Sequence, residues 1–244
     1  MGARVLVLSW EYPPVIEGGL ARHVRKLAEA LARQGTAVDV LTRGAGPETA
    51  AADSSAPPGV RVHRVPEPNW PRDLDRFVGW VERMNEDMLA AGEALAEDNG
   101  YDLVHGHDWL VAHASGGLAE RLGAPYVTTI HATEHGRHQG WVADPPQCHI
   151  HGVERWMARR AERVIVCSYY MRGHVADIFD IDERRIAVIP NGIDPNELRP
   201  LDNLPALRAK FAAPQEKLVL LVGRLVYEKC FQLALVALPD VIAQ

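Results

Sequence analysis

Several protein classes are excluded by what this chain of 244 residues has little of. Cysteine is scarce: Cys148, Cys167 and Cys230 stand far apart and form no Cys-x-x-Cys pair. An odd, scattered set fits a reducing compartment better than a disulfide framework. No apolar run approaches the length that spans a bilayer. The first such run, Val5–Leu8, is too short for the hydrophobic region of a signal peptide. Leu6 stands where N-myristoylation requires Ser or Thr. A positive surplus is also missing, since the net charge is −6 and the pI near 6.0. Neither nucleic acid nor an anionic membrane is therefore expected as partner. Lysine is rare, 4 residues against 22 arginines, a bias that reads as GC-rich coding. The dinucleotide fingerprint G-x-G-x-x-G is absent. A soluble cytoplasmic protein is the expectation.

What is present is ordinary for a globular chain: 47 % hydrophobic and 24 % charged residues. Short runs of branched apolar residues alternate with helical patterns, as in a parallel sheet covered on both faces. Strands are expected at Val5–Leu8, Ala37–Leu41, Val60–Val65, Asp102–His105, Tyr126–Ile130, Arg163–Val166 and Arg185–Ile189. Leu20, Val24, Leu27 and Leu31 form one helical stripe, which Gly35 stops. Leu74 to about Asp98 reads as a long amphipathic helix. Further helices fall near Leu110–Leu122, Val153–Glu162 and Tyr169–Phe179. Gly44–Gly59 and the proline-rich Pro66–Arg72 read as irregular. The fold class is α/β: a doubly wound, Rossmann-like parallel sheet over residues 1–193. The turn-rich stretch Pro190–Pro195 opens a hinge over 194–216. Residues 217–244, with a strand at Lys217–Val222 and a helix at Phe231–Ile242, read as the truncated start of a second domain. One strand and one helix bury too little apolar surface to stand alone.

Four segments carry the chemistry. Ser9–Pro14 leads to Gly18-Gly19 at the start of a helix, where a ligand phosphate can approach backbone N–H groups; a plain tight turn reads the same way. His105-Gly106-His107-Asp108-Trp109 ends a strand, where parallel sheets bind ligands. Asp108 there is a helix N-cap, an acceptor-binding group, or both. His131-Ala132-Thr133-Glu134-His135-Gly136-Arg137-His138 follows the next strand. A metal set of His131, Glu134, His135 and His138 would need one helix to present the ligands. The His-Glu-x-x-His order is missing and Gly136 bends the chain, so no metal is expected. Finally, Gly223-Arg224 and Lys229 place two cations beside a helix N-terminus, suited to a diphosphate, or leave solvated surface charge.

In order and spacing, the segments SWEYPP, GGL, HDW, TIHATEHGRHQGW, IPNGID and GRLVYEK resemble the GT-B glycosyltransferases of family 4, the glycogen-synthase-like kind. The likeness is to actinobacterial enzymes that extend α-glucans. The resemblance implies two Rossmann-like domains around a cleft. It also implies retaining transfer of a hexose, glucose above all, from a nucleotide sugar to a glucan or oligosaccharide acceptor. His131 would be the catalytic contact to the transferred sugar. Gly18 and Gly19 would lie against the donor, Arg224 and Lys229 would hold its diphosphate, and Asp108 would line the acceptor side. No cofactor or metal is implied. Three departures stand out: Glu17 where glycogen synthases proper carry Lys, Cys230 where glycine is usual, and no Glu-rich donor motif. Such a fragment is expected to be inactive alone, with the unpaired edge of Lys217–Val222 packing on the first domain, becoming disordered or pairing with another chain in self-association. A non-catalytic carbohydrate-binding module and a sugar-nucleotide epimerase of the same fold are the alternatives.

Overall fold

A computed structural model describes residues 2–44, 53, 56–67, 74–223, 225 and 229–243. Most of the Gly44–Gly59 loop, most of the Pro66–Arg72 stretch and Arg224 lie outside the described residues. The chain divides into two compact units, Met1–Asn191 and Gly192–Gln244.

The first unit is built on seven parallel strands: β1 (Arg4–Leu8), β2 (Ala37–Arg43), β3 (Val60–Val65), β4 (Leu103–His107), β5 (Tyr126–Ile130), β6 (Arg163–Val166) and β7 (Ile186–Val188). Their spatial order is β3-β2-β1-β4-β5-β6-β7. The period-two alternation of β1 divides it between two cores. Val5 and Val7 pack with Val24, Ala28, Val38, Val40 and Val60. Leu6 and Leu8 join the larger cluster with Met84, Met88, Val104 and Leu118. Burial on both faces explains why Val5–Leu8 of β1 is continuously apolar.

Helix α1 (Gly19–Arg33) buries Ala21, Val24 and Ala28, with Leu20 and Leu31 packed against the same cluster. It ends where Gly35 takes φ +87°, a left-handed conformation that costs glycine no Cβ clash. Helix α2 (Leu74–Asp98) runs as the periodicity predicts. Its buried Asn85 donates to the Val81 and Leu110 carbonyls at 2.7 and 2.8 Å and accepts the Ala114 N–H at 2.8 Å. One amide thus satisfies an otherwise orphaned N–H in the first turn of α3 (Ala112–Leu122) and fixes the turn that follows β4. A short α4 (Glu134–Arg137), α5 (Gln147–Arg160) and α6 (Tyr169–Phe179) complete the unit.

The second unit holds α7 (Leu204–Ala209) and α8 (Phe231–Ile242). The strand expected at Lys217–Val222 is not formed, although its residues are apolar. A strand exists only through a ladder with a neighbour, and these residues have none among the described ones; Leu218 to Val222 are exposed. No helix among the described residues is long and apolar enough to cross a membrane.

Candidate functional site

The connections from β1 run outward through β2 and β3, and those from β4 run the other way through β5, β6 and β7. The crevice beyond the carboxyl tips of β1 and β4 is therefore the topological switch point, where open α/β sheets take ligands. Register places the tips side by side, with Leu8 opposite Gly106, His107 opposite Thr129 and Ile130 opposite Val166. Hollows of about 430 and 480 Å³ instead open at the amino-terminal edge of the sheet, beside Tyr126 and Glu162 and beside Arg4 and Asp102. They lie away from the switch point.

After β1 the chain is held by two buried charges. The Glu11 carboxylate accepts the N–H of Glu17 and, at 3.1 Å, that of Gly18, the N-cap of α1. An acid at a helix N-terminus is electrostatically favoured, and this one occupies the Gly18 N–H. Arg43, at the end of β2, donates to the Trp10 carbonyl at 2.9 Å and to Glu17 at 2.6 Å, pairs with Glu67, and lies 4.8 Å from the Trp10 ring. Together they fix the Gly18-Gly19 turn. A Cβ on Gly19 would meet nothing within 4 Å, one on Gly18 only Glu11 at 3.8 Å, and neither residue has a positive φ. Among the described residues nothing requires glycine at either position.

The β4 and β5 tips meet through Asp108 and His131. Asp108 is buried, and its carboxylate accepts the His131 backbone N–H at 2.8 Å while its own N–H reaches the Thr129 carbonyl at 2.9 Å. Its backbone sits at φ 61°, ψ 173°, a region that non-glycine residues rarely occupy. The N-cap expectation is corrected here. Asp108 holds the N-cap position of the 3₁₀ turn Trp109–Val111 but makes no side-chain cap bond, because its carboxylate is spent on His131.

Around His131 stand further imidazoles that sequence reading did not assign. His107 Nδ1 lies 3.2 Å from His131 Nε2. His23, one helical turn after Gly19 on α1, brings its ring centroid to 4.6 Å from that of His131 and 5.5 Å from that of His107. Behind them His105 bonds Thr129 Oγ1 at 2.8 Å, and Cys167, just past β6, lies 3.9 Å from His131 Nδ1. Burial first, then the neighbouring imidazoles, pushes His23 down to about 4 and His105 to about 3, and holds His107 well below the usual range. These three rings are neutral at pH 7. Their only sequence signal was position: two sit at the end of an apolar strand, the third one turn into the helix that the glycine pair opens.

The segment after His131 is fixed separately. Thr133 caps α4 by accepting the Gly136 N–H at 3.0 Å and contacts His174 Nε2 at 2.8 Å. Glu154, nearly fully buried on α5, accepts the Glu134 N–H with both oxygens at 2.9 and 3.0 Å. Burial pushes its carboxyl up to about 8, against the opposing pull of that N–H and of Arg137. The four-residue metal set weighed from spacing is dispersed. Glu134 faces His138 at 3.1 Å, His135 turns towards His151 and His174, and only His131 points into the switch-point crevice cluster.

In the second unit Lys229 is exposed. Cys230, the N-cap of α8, has φ 55°. The left-handed backbone that glycine would supply is thus adopted by a cysteine.

Fold and site define a Rossmann-like domain with polar and imidazole groups gathered at the carboxyl edge of its sheet. The chain belongs to glycosyltransferase family 4, whose family model matches residues 17–197. It is 40 % identical over 249 residues to a glycogen synthase of Mycobacterium tuberculosis, covering 97 % of this chain and 58 % of that protein. It is 29 % identical over 232 residues to a D-inositol 3-phosphate glycosyltransferase of Actinosynnema mirum, covering 91 % of this chain and 55 % of the relative. The chain thus spans somewhat over half the length of these relatives. Among solved structures, the catalytic domain of Arabidopsis thaliana starch synthase IV, bound to ADP and acarbose, matches with a TM-score of 0.66 at 18 % identity. That match covers 100 % of this chain and 67 % of the other, a likeness of fold.

Proposed function

We propose that this chain is the N-terminal, acceptor-side part of a retaining glycosyltransferase. It would move a hexose, glucose above all, from a nucleotide sugar to an α-glucan or another sugar acceptor. Family membership and the 40 % identity to a glycogen synthase support the reaction class. The observation that carries the reading is the convergence on His131: Asp108 grips its backbone, His107 abuts its ring, and the second turn of α1 reaches it through His23.

In this reading the bond from the anomeric carbon to the diphosphate breaks, and the acceptor hydroxyl attacks the face being vacated, giving its proton to the departing diphosphate oxygen. The reacting carbon passes through a cationic, oxocarbenium-like state. Neutral rings at His105 and His107 add no opposing charge there, and a rigidly held His131 offers hydrogen bonding to the sugar. Gly18 and Gly19 leave room for the donor, Asp108 lines the acceptor side through its placement of His131, and Arg224 and Lys229 take the diphosphate charge. Cations in that role make a metal unnecessary for the chemistry.

The test is an assay of transfer from a panel of ADP-, UDP- and GDP-sugars to a maltooligosaccharide. The 244-residue chain alone is expected to give little or no product. The protein extended to its relatives' full length is expected to release nucleoside diphosphate only with acceptor present, with α-configured product, and to lose this in His131→Ala. Absence of acceptor-dependent release with every donor would remove the proposal.

A further inference from the structure

We propose that His23, His107 and His131 form a site for one divalent transition-metal ion, of which Zn²⁺ suits the ligands best. Each residue offers a ring nitrogen, and the three nitrogens lie within 4.8 Å of one another. The closest known pair, His107 Nδ1 and His131 Nε2, is 3.2 Å apart. Two imidazoles on one tetrahedral zinc, at Zn–N of about 2.0–2.1 Å, hold their nitrogens roughly 3.3 Å apart. The remaining distance would close by side-chain adjustment of His23 and His131, both partly exposed.

The rings come from three separate elements: the second turn of α1, the end of β4 and the residue after β5. His107 and His131 lie nearly parallel, at 22°, and His23 stands edge-on to both at 64° and 77°. His107 is fully buried, and its Nε2 has no hydrogen-bond partner among the described residues. The His131 backbone is held by Asp108, and its Nδ1 faces Cys167 Sγ at 3.9 Å, an outer partner on the nitrogen opposite His107. Three neutral imidazoles with a fourth position open suit Zn²⁺, Co²⁺, Ni²⁺ or Cu²⁺ and not the oxygen-seeking Mg²⁺ or Ca²⁺.

The site carries a consequence that rests on the function proposed above. An ion bound there takes the His131 nitrogen that would contact the sugar, so metal and donor exclude one another and transition metals inhibit. Metal binding itself is independent of that reading.

The experiment titrates chelator-treated 244-residue protein with Zn²⁺ against a chromogenic chelator, then with Co²⁺ while recording visible absorption. One Zn²⁺ per chain and the intense spectrum of four-coordinate Co²⁺ are expected. His23→Gln, a partly exposed change that keeps the fold, should weaken Zn²⁺ binding by about tenfold or more, and His107→Ala should abolish it. Circular dichroism checks folding of both variants. No stoichiometric binding would overturn the proposal and leave His107 and His131 as a simple hydrogen-bonded pair. So would binding that survives His23→Gln unchanged but is lost in His135→Gln or His138→Gln. No sugar or turnover enters the measurement, so failure of the functional reading leaves it untouched.

Discussion

The Asp108 carboxylate, at the tip of β4, accepts the backbone N–H of His131, at the tip of β5, at 2.8 Å, with Asp108 itself at φ 61°. A strained residue spends its side chain on holding its neighbour. Such backbone costs on the order of 1–3 kcal/mol and persists where the surroundings over-determine it. Asp108→Asn keeps an oxygen for the N–H and is expected to stay close to the parent. Asp108→Ala leaves the N–H unsatisfied and should lose about 1–3 kcal/mol in urea unfolding. Asp108→Gly loses the same bond but relieves the backbone, so it should be more stable than Asp108→Ala. Equal stability of the Gly and Ala variants would show that the strain is not real.

Gly19 opens α1 with clear space where a Cβ would stand and with no positive φ. Gly19→Ala should therefore fold with unchanged or slightly higher stability, since alanine is the better helix former. If the space is reserved for the donor, the full-length enzyme with Gly19→Ala loses turnover while its unfolding midpoint holds. Full activity in that variant would assign the glycine to the turn alone.

Glu154 gives a pH dependence with a definite sign. Its carboxyl is raised from 4.5 to about 8 by burial, with Asp108 and Glu134 adding to the rise and Arg137 and the Glu134 N–H opposing it. A raised folded value means that the folded state binds the proton more tightly than the unfolded one. The contribution to stability is full below about pH 4.5 and is lost as pH climbs through about 8. The loss is on the order of a few kcal/mol. Glu154→Gln should remove this decline, which urea unfolding at pH 6 and pH 9 measures. A parent and variant with parallel pH profiles would contradict the assignment.

Cys230 adopts φ 55° where glycine carries no Cβ penalty. Cys230→Gly should stabilise the start of α8 by on the order of 1 kcal/mol. Hydrogen exchange of the α8 amides reports it, and faster exchange in the variant would count against the strain.

Much of the fold was legible. The seven strand positions and the long helix Leu74–Asp98 follow from apolar periodicity, because a sheet covered on both faces needs unbroken runs and a surface helix needs a stripe. Lys217–Val222 shows the limit of that signal. Apolar character permits a strand, and only a hydrogen-bonded neighbour makes one.

The site was legible in part. His131, Asp108 and the glycine pair stand at strand tips, which sequence order alone points to. That Asp108 serves His131, that His23 and His107 crowd the same ring, and that Glu154 anchors the following segment are facts about residues 20 or more positions apart in sequence. By itself the sequence determined which residues are apolar, where the chain turns and which polar groups end each strand, since these depend on local spacing. The order β3-β2-β1-β4-β5-β6-β7 decided the rest. Parallel strands joined by helical crossovers bring distant tips into register, so which imidazoles meet is set by topology and by the burial that keeps them neutral.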